Sequence, residues 1–166
     1  MSDEQMLVSR LIAQFPFLEG KVRTPRTRRL FAEAPAEKVR EVFDHAVGKM
    51  GFSILCTITG LDLGENLGVI YHLARTSGEV LNLSTSVPKA QPVLQTVSGT
   101  FPAADAYERE LVDLLGFEVQ GLPAGNRYPL PDGWPQGQHP LRKDWKQESA
   151  PAAAIPQGGT AQEGKV

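Results

Sequence analysis

The chain has 166 residues, 41% hydrophobic and 22% charged, proportions that suit one globular core with extensions and exclude a fibrous or wholly disordered chain. A formal net charge of −2 gives no general attraction to phosphate backbones, and one cysteine, Cys56, excludes an internal disulfide framework, a four-cysteine zinc site and an iron–sulfur cluster held by this chain alone. No stretch approaches the roughly 18 apolar residues of a spanning helix, and the start carries Asp3 and Glu4 without an apolar run of signal-peptide length. The expectation is a cytoplasmic, non-spanning chain.

Ser2 and Gln5 have capping-box spacing, and Met6, Leu7, Leu11, Ile12 and Phe15 recur at helical intervals until Pro16, which predicts a short first helix. Residues 27–34 carry a strand signal that stops at Pro35. Pro35 then opens the strongest helix, with Val39, Val42, Phe43, Ala46, Val47 and Met50 on one face and Gly51 as a left-handed stop. Residues 52–63, 68–75 and 80–87 are apolar and β-branched. The turn formers Gly64, Glu65 and Asn66, and Thr76, Ser77 and Gly78, join them into an antiparallel meander.

An apolar patch at Val93, Leu94 and Val97 comes next, and Pro102 opens a third helix to about Leu115, with Tyr107, Leu111, Leu114 and Leu115 as its buried face. The elements predict an α+β domain over residues 1–118, with an antiparallel or mixed sheet of about four strands packed with two to three helices. Past Gly116, prolines and glycines are too dense for helix or central strand, yet Tyr128, Leu130, Trp134, Leu141 and Trp145 are too many large apolar groups for a solvated linker. Residues 119–146 are therefore expected to be an extended arm that lies on something. Residues 147–166, mainly Ala, Gln, Gly, Pro and Glu, are expected to be a disordered tail.

Few residues invite chemistry. His45, His72 and His139 lack metal-ligand spacing, and Cys56 sits mid-strand, the setting of a buried inert thiol. Arg109 and Asp113 form an i,i+4 pair expected on a solvated or partner-facing side of the third helix, away from its leucines. Lys21, Arg23, Arg26, Arg28 and Arg29 crowd positive charge without interleaved aromatics, which fits a basic edge strand that resists aggregation or meets an acidic subunit better than a nucleic-acid site. A small enzyme using His139 with Asp132 or Asp144 is a further alternative.

Glu108-Arg109-Glu110, followed by Asp113, Leu114, Leu115 and Gly116, resembles the signature of the C subunit (30 kDa subunit) family of respiratory complex I. His139-Pro140-Leu141-Arg142-Lys143-Asp144-Trp145 is similar to the family's second motif, in the expected order, so the resemblance spans about residues 31–145. Leu122, Asn126 and Arg127 depart from the complex I pattern, whereas residues 128–135 look more like the corresponding subunits of membrane-bound energy-converting [NiFe] hydrogenases of the carbon-monoxide-induced and formate-hydrogenlyase types.

The resemblance implies a non-catalytic structural subunit of a hydrogenase peripheral arm, with the C subunit of NADH-quinone oxidoreductase as the alternative. It implies docking on a large subunit and an iron–sulfur small subunit, membrane contact only through the complex at the cytoplasmic face, and no nucleic acid. This chain would bind no cofactor; iron–sulfur clusters and a nickel–iron centre would belong to the partners. Glu108, Arg109, Glu110, Asp113, Arg142, Lys143 and Asp144 are the candidate charged docking contacts, with Tyr128, Trp134 and Trp145 as aromatic anchors and His139 beside them.

Overall fold

A computed structural model describes residues 3–146; the capping-box expectation at Ser2 and the tail expectation for residues 147–166 lie outside the described residues. In chain order come α1 (Asp3–Gln14), a short 3-10 turn (Pro16–Leu18), β1 (Val22–Arg26), β2 (Arg29–Glu33), α2 (Ala36–Met50), β3 (Ile54–Asp62), β4 (Asn66–Ala74) and β5 (Val80–Pro88). The chain continues through β6 (Val93–Gln95), α3 (Ala104–Leu115) and β7 (Glu118–Gln120). Five strands form one mixed sheet in the order β1-β2-β5-β4-β3, in which only β2 and β5 run parallel. The parallel strands β6 and β7 form a separate ribbon.

The apolar stripe of α2 ends where Gly51 takes φ 79°, a conformation that costs glycine little. That helix carries the chain across the sheet, so β3 begins at the far edge and the meander β3-β4-β5 returns to β2. Alternation places Leu67, Val69, Tyr71 and Leu73 of β4 with Leu81 and Leu83 of β5 on the buried face. There the ring of Phe43 from α2 meets Tyr71 edge-on at 5.3 Å. The opposite face carries a polar thread: His72 bridges Thr59 (3.0 Å) and Asn82 (2.7 Å), and the Asn82 amide donates to the Leu30 carbonyl at 3.0 Å. Four strands are thus tied laterally by side chains as well as by the backbone ladder.

The α+β class, the meander and α2 agree with the sequence. The sheet has five strands rather than about four, because the strand expected within residues 27–34, which is β2, is preceded by another: Arg28, at φ 59°, turns β1 back into β2. Pro25 hides β1 from the pattern, and such a proline is tolerated on an edge. The patch at Val93 forms β6, which pairs with β7 just past α3. Cys56 is exposed, not buried, since it is the extra residue of a bulge between the pairs Leu55↔Leu73 and Thr57↔His72. Among the described residues no helix is long and apolar enough to cross a membrane.

The third helix meets the sheet at Gly60. A Cβ there would lie 2.5 Å from Leu111 Cδ2 and closer still to Leu115 Cδ1, both in the core. Gly60→Val should force α3 off β3 and destabilise the domain by about 1–3 kcal/mol, read as a lowered urea midpoint with an unchanged m-value.

Candidate functional site

The two sequence motifs come together along α3, and most of their polar atoms are spent inside the chain. The buried stripe of α3 is Ala104, Glu108, Leu111 and Leu115, while Tyr107 and Leu114 are only half-buried. Glu108, one of the candidate charged docking contacts, is 2% exposed and turns into the interior of this chain. Its carboxylate accepts the Val97 N–H at 2.6 Å and the Thr96 hydroxyl at 2.5 Å, so it anchors the segment after β6 to α3. Burial pushes the Glu108 carboxyl above the ordinary glutamate range, against the two hydrogen bonds. Spacing alone contains the signal, since residues 104, 108, 111 and 115 share one helical face.

The expected Arg109–Asp113 pair does not form. Arg109 grips Asp105, one turn earlier, through Nε and Nη2 at 2.9 Å, and donates to the carbonyls of Pro123 (2.6 Å) and Asn126 (3.3 Å) in the arm. Gly125 permits this approach, because a Cβ there would lie 2.5 Å from Arg109 Nη2. Asp113 is 7% exposed and accepts Arg127 Nε at 2.8 Å and the Leu130 N–H at 3.1 Å. Its main-chain carbonyl accepts His139 Nδ1 at 2.9 Å, which places the proton on that nitrogen. Arg127 also donates to the Trp134 carbonyl at 2.6 Å, closing a loop of the arm over the helix. In the sequence Arg127 stands out only as a departure from a pattern; its role needs a contact fourteen residues away.

The second motif caps the end of α3. The Leu141 N–H donates to the Leu114 carbonyl (3.0 Å) and Arg142 Nε to the Leu115 carbonyl (2.7 Å), satisfying groups that a helix terminus leaves open. Gly116, at φ 75°, is required here twice: a Cβ would lie 2.5 Å from His139 Nε2 and 2.6 Å from Arg142 Nη2. Beyond it, buried Asp62 accepts the Lys143 N–H, the Gly64 N–H and Lys89 Nζ, each at 2.8 Å. Lys89 also reaches Asp144 at 3.1 Å. The Lys89 hydrogen bond and the two backbone donors hold the Asp62 carboxyl far below the ordinary aspartate range.

Trp134 and Trp145 are half-buried, with ring centroids 6.0 Å apart, and both indole N–H groups donate to Gln138 at 2.9 Å. Tyr128 and Leu141 remain exposed, at 51% and 56%. Glu110 is half-buried and makes no hydrogen bond or ion pair among the described residues. No group of three or more His, Cys, Asp or Glu side chains among the described residues is placed to hold a metal ion. Neither Asp132 nor Asp144 hydrogen-bonds His139. The basic run does form the sheet edge, with Arg23 over the Phe31 ring at 5.2 Å.

Asp113→Ala should strand the Arg127 guanidinium and free the arm, raising trypsin cleavage after Arg127 at least about tenfold while α1 to α3 keep their far-ultraviolet signal. The Asp62 contact has a pH sign: its carboxyl is depressed in the folded state, so its contribution is complete above the ordinary aspartate pKa of about 4 and fades as pH falls towards its own. Hydrogen exchange at the Lys143 amide should therefore accelerate, beyond its intrinsic pH dependence, on acidification below about pH 4, and should be fast at every pH in Asp62→Ala.

Comparison with known proteins agrees with this arrangement. Residues 32–151 match the family described as "Respiratory-chain NADH dehydrogenase, 30 Kd subunit". The chain is 29% identical to the C subunit of the F(420)H(2) dehydrogenase of Methanosarcina mazei, over 87% of its own length and 92% of that protein's. It is also 29% identical to the beta subunit of the membrane-bound hydrogenase of Pyrococcus furiosus, covering 88% of each. A chain in the structure of the membrane-bound sulfane sulfur reductase, an archaeal respiratory membrane complex, superposes with a TM-score of 0.77 at 26% identity, covering 88% of this chain and 87% of that one. The matched stretch takes in α2, the meander, the motif-bearing helix α3 and the arm, and this chain belongs to the respiratory-chain NADH dehydrogenase 30 kDa subunit family.

Proposed function

We propose that the chain is a non-catalytic structural subunit of the peripheral arm of a membrane-associated, complex I-related energy-converting hydrogenase. The observation that carries this reading is the near end-to-end match to the membrane-bound hydrogenase beta subunit, 88% of both chains, together with an arm shaped and fastened by motif residues. The single cysteine, exposed on β3, leaves no protein ligand set for a cluster, so iron–sulfur and nickel–iron centres are assigned to the partners. A large subunit and an iron–sulfur small subunit are the partners proposed, at the cytoplasmic face of the membrane.

The clasp divides the labour among the candidate docking residues. Arg109, Asp113, His139 and Arg142 act by giving the arm one shape before it meets a partner, while Glu108 fastens the segment after β6 to α3. Tyr128, Lys143 and Asp144, which stay exposed, and the outer edges of Trp134 and Trp145 supply contact. An arm ordered beforehand loses less entropy on binding. A second reading, the C subunit of an NADH-quinone oxidoreductase, is favoured by identities of 30–35% to such chains, for instance 30% over 68% of this chain for that of Moorella thermoacetica.

The reading is tested by mild detergent extraction of native membranes, capture on this chain and identification of the co-purifying proteins by mass spectrometry. A large subunit with two Cys-x-x-Cys pairs, accompanied by hydrogen evolution, is expected. A large subunit without them assigns the chain to quinone chemistry, and capture of no large subunit overturns the structural-subunit reading.

A further inference from the structure

The two edges of the main sheet are treated in opposite ways. The β1 edge is defended: Arg23, Arg26 and Pro25 stand on it, and its register is broken between Arg23 and Arg26. The β3 edge is nine residues long and contains no Lys, Arg or Pro, only the bulge at Cys56 near its start. From Thr57 to Asp62 it runs in unbroken register with β4, and no other backbone segment among the described residues bonds to its outer side. A long edge in this state is a template for another strand.

The apolar surface is concentrated there as well. Ile54 (43% exposed), Leu61 (37%) and Leu63 (55%) lie in or just past β3, and the arm lays Leu141 (56%) beside the same edge. Between β3 and α3 runs a groove of about 290 Å³, with Thr57 and Thr59 on one wall, Leu114 on the other and Leu141 at one end. The one charged side chain in that groove is Glu110, the carboxylate of the motif that the clasp does not use.

We infer that β3 and the groove beside α3 receive an extended segment of a partner subunit, which adds a strand to the sheet and sets a Lys or Arg side chain against Glu110. Backbone pairing supplies the affinity, the leucines supply burial, and Glu110 fixes the register through a charge pair. This inference rests on the structural-subunit reading and names the surface through which that subunit is held.

The test uses the intact complex captured from membranes through this chain, with Leu61→p-benzoylphenylalanine for photo-crosslinking and the same replacement at Arg26 on the opposite edge as the control. The expected result is a crosslink from position 61, and not from 26, to a partner peptide containing a Lys or Arg. Glu110→Lys should lower recovery of that partner at least about tenfold, and Glu110→Gln by less, with both chains melting as the unaltered one does. Should Glu110→Lys perturb folding, Leu61→Asp replaces it with the same expected loss. A crosslink to a second copy of this chain overturns the inference, as does a complex that assembles undiminished with Glu110→Lys and gives no crosslink from position 61. Both of those outcomes leave the structural-subunit reading standing, whereas failure of the unaltered chain to capture any partner removes the reading itself.

Discussion

The carboxylate of Asp113, buried on the flank of α3 and closed by the Arg127 guanidinium and the Leu130 amide, is the contact on which the course of the arm depends. A carboxylate at that depth needs its partners, and the partners sit fourteen and seventeen residues further along a chain with almost no secondary structure. Supplying them bends the arm back over the helix that carries Asp113. The loop so formed brings His139 to the Asp113 carbonyl and Arg142 to the Leu115 carbonyl, so the end of α3 and the end of the arm complete each other.

Around that contact the molecule behaves as one body with two kinds of cohesion. The domain is held by area: the buried sides of β4 and β5 meet α2, and the leucines of α3 close on Gly60. The arm, poor in buried aliphatic groups, is held by polar contacts at discrete points, first at Arg109, then at Asp113, then at Asp62 and Lys89. Point fastening gives an extended segment a defined shape without a core of its own, which suits a surface meant to be read by another protein.

The domain is largely legible in the sequence because its signals are local. Period and caps mark α2, alternation and tight turns mark the meander, and each depends on residues only a few positions apart. Strand β1 escapes such a reading because Pro25 and the exposed Arg23 and Arg26 mimic a loop, and the bulge at Cys56 exposes a thiol whose burial is inferred from its mid-strand position. Glu108 is legible in spacing but overruled by its charge, since an ionisable side chain is seldom assigned to a core. The clasp has no local signal: a Pro/Gly-rich backbone has no period, and the resemblance marks its residues without saying that they serve one another before they serve a partner.

The pair of indoles in the arm has one more consequence. Trp134 and Trp145 are the only two tryptophans of the chain, and they stand 6.0 Å apart with both ring nitrogens on Gln138. Every other aromatic residue is Tyr or Phe, so light absorbed by tryptophan alone enters at the arm and nowhere in the sheet. The protein carries a built-in optical label on the segment that is shaped by the clasp: its emission reports the arm's surroundings while the folded domain stays dark, and unfastening and docking can be watched without adding a dye.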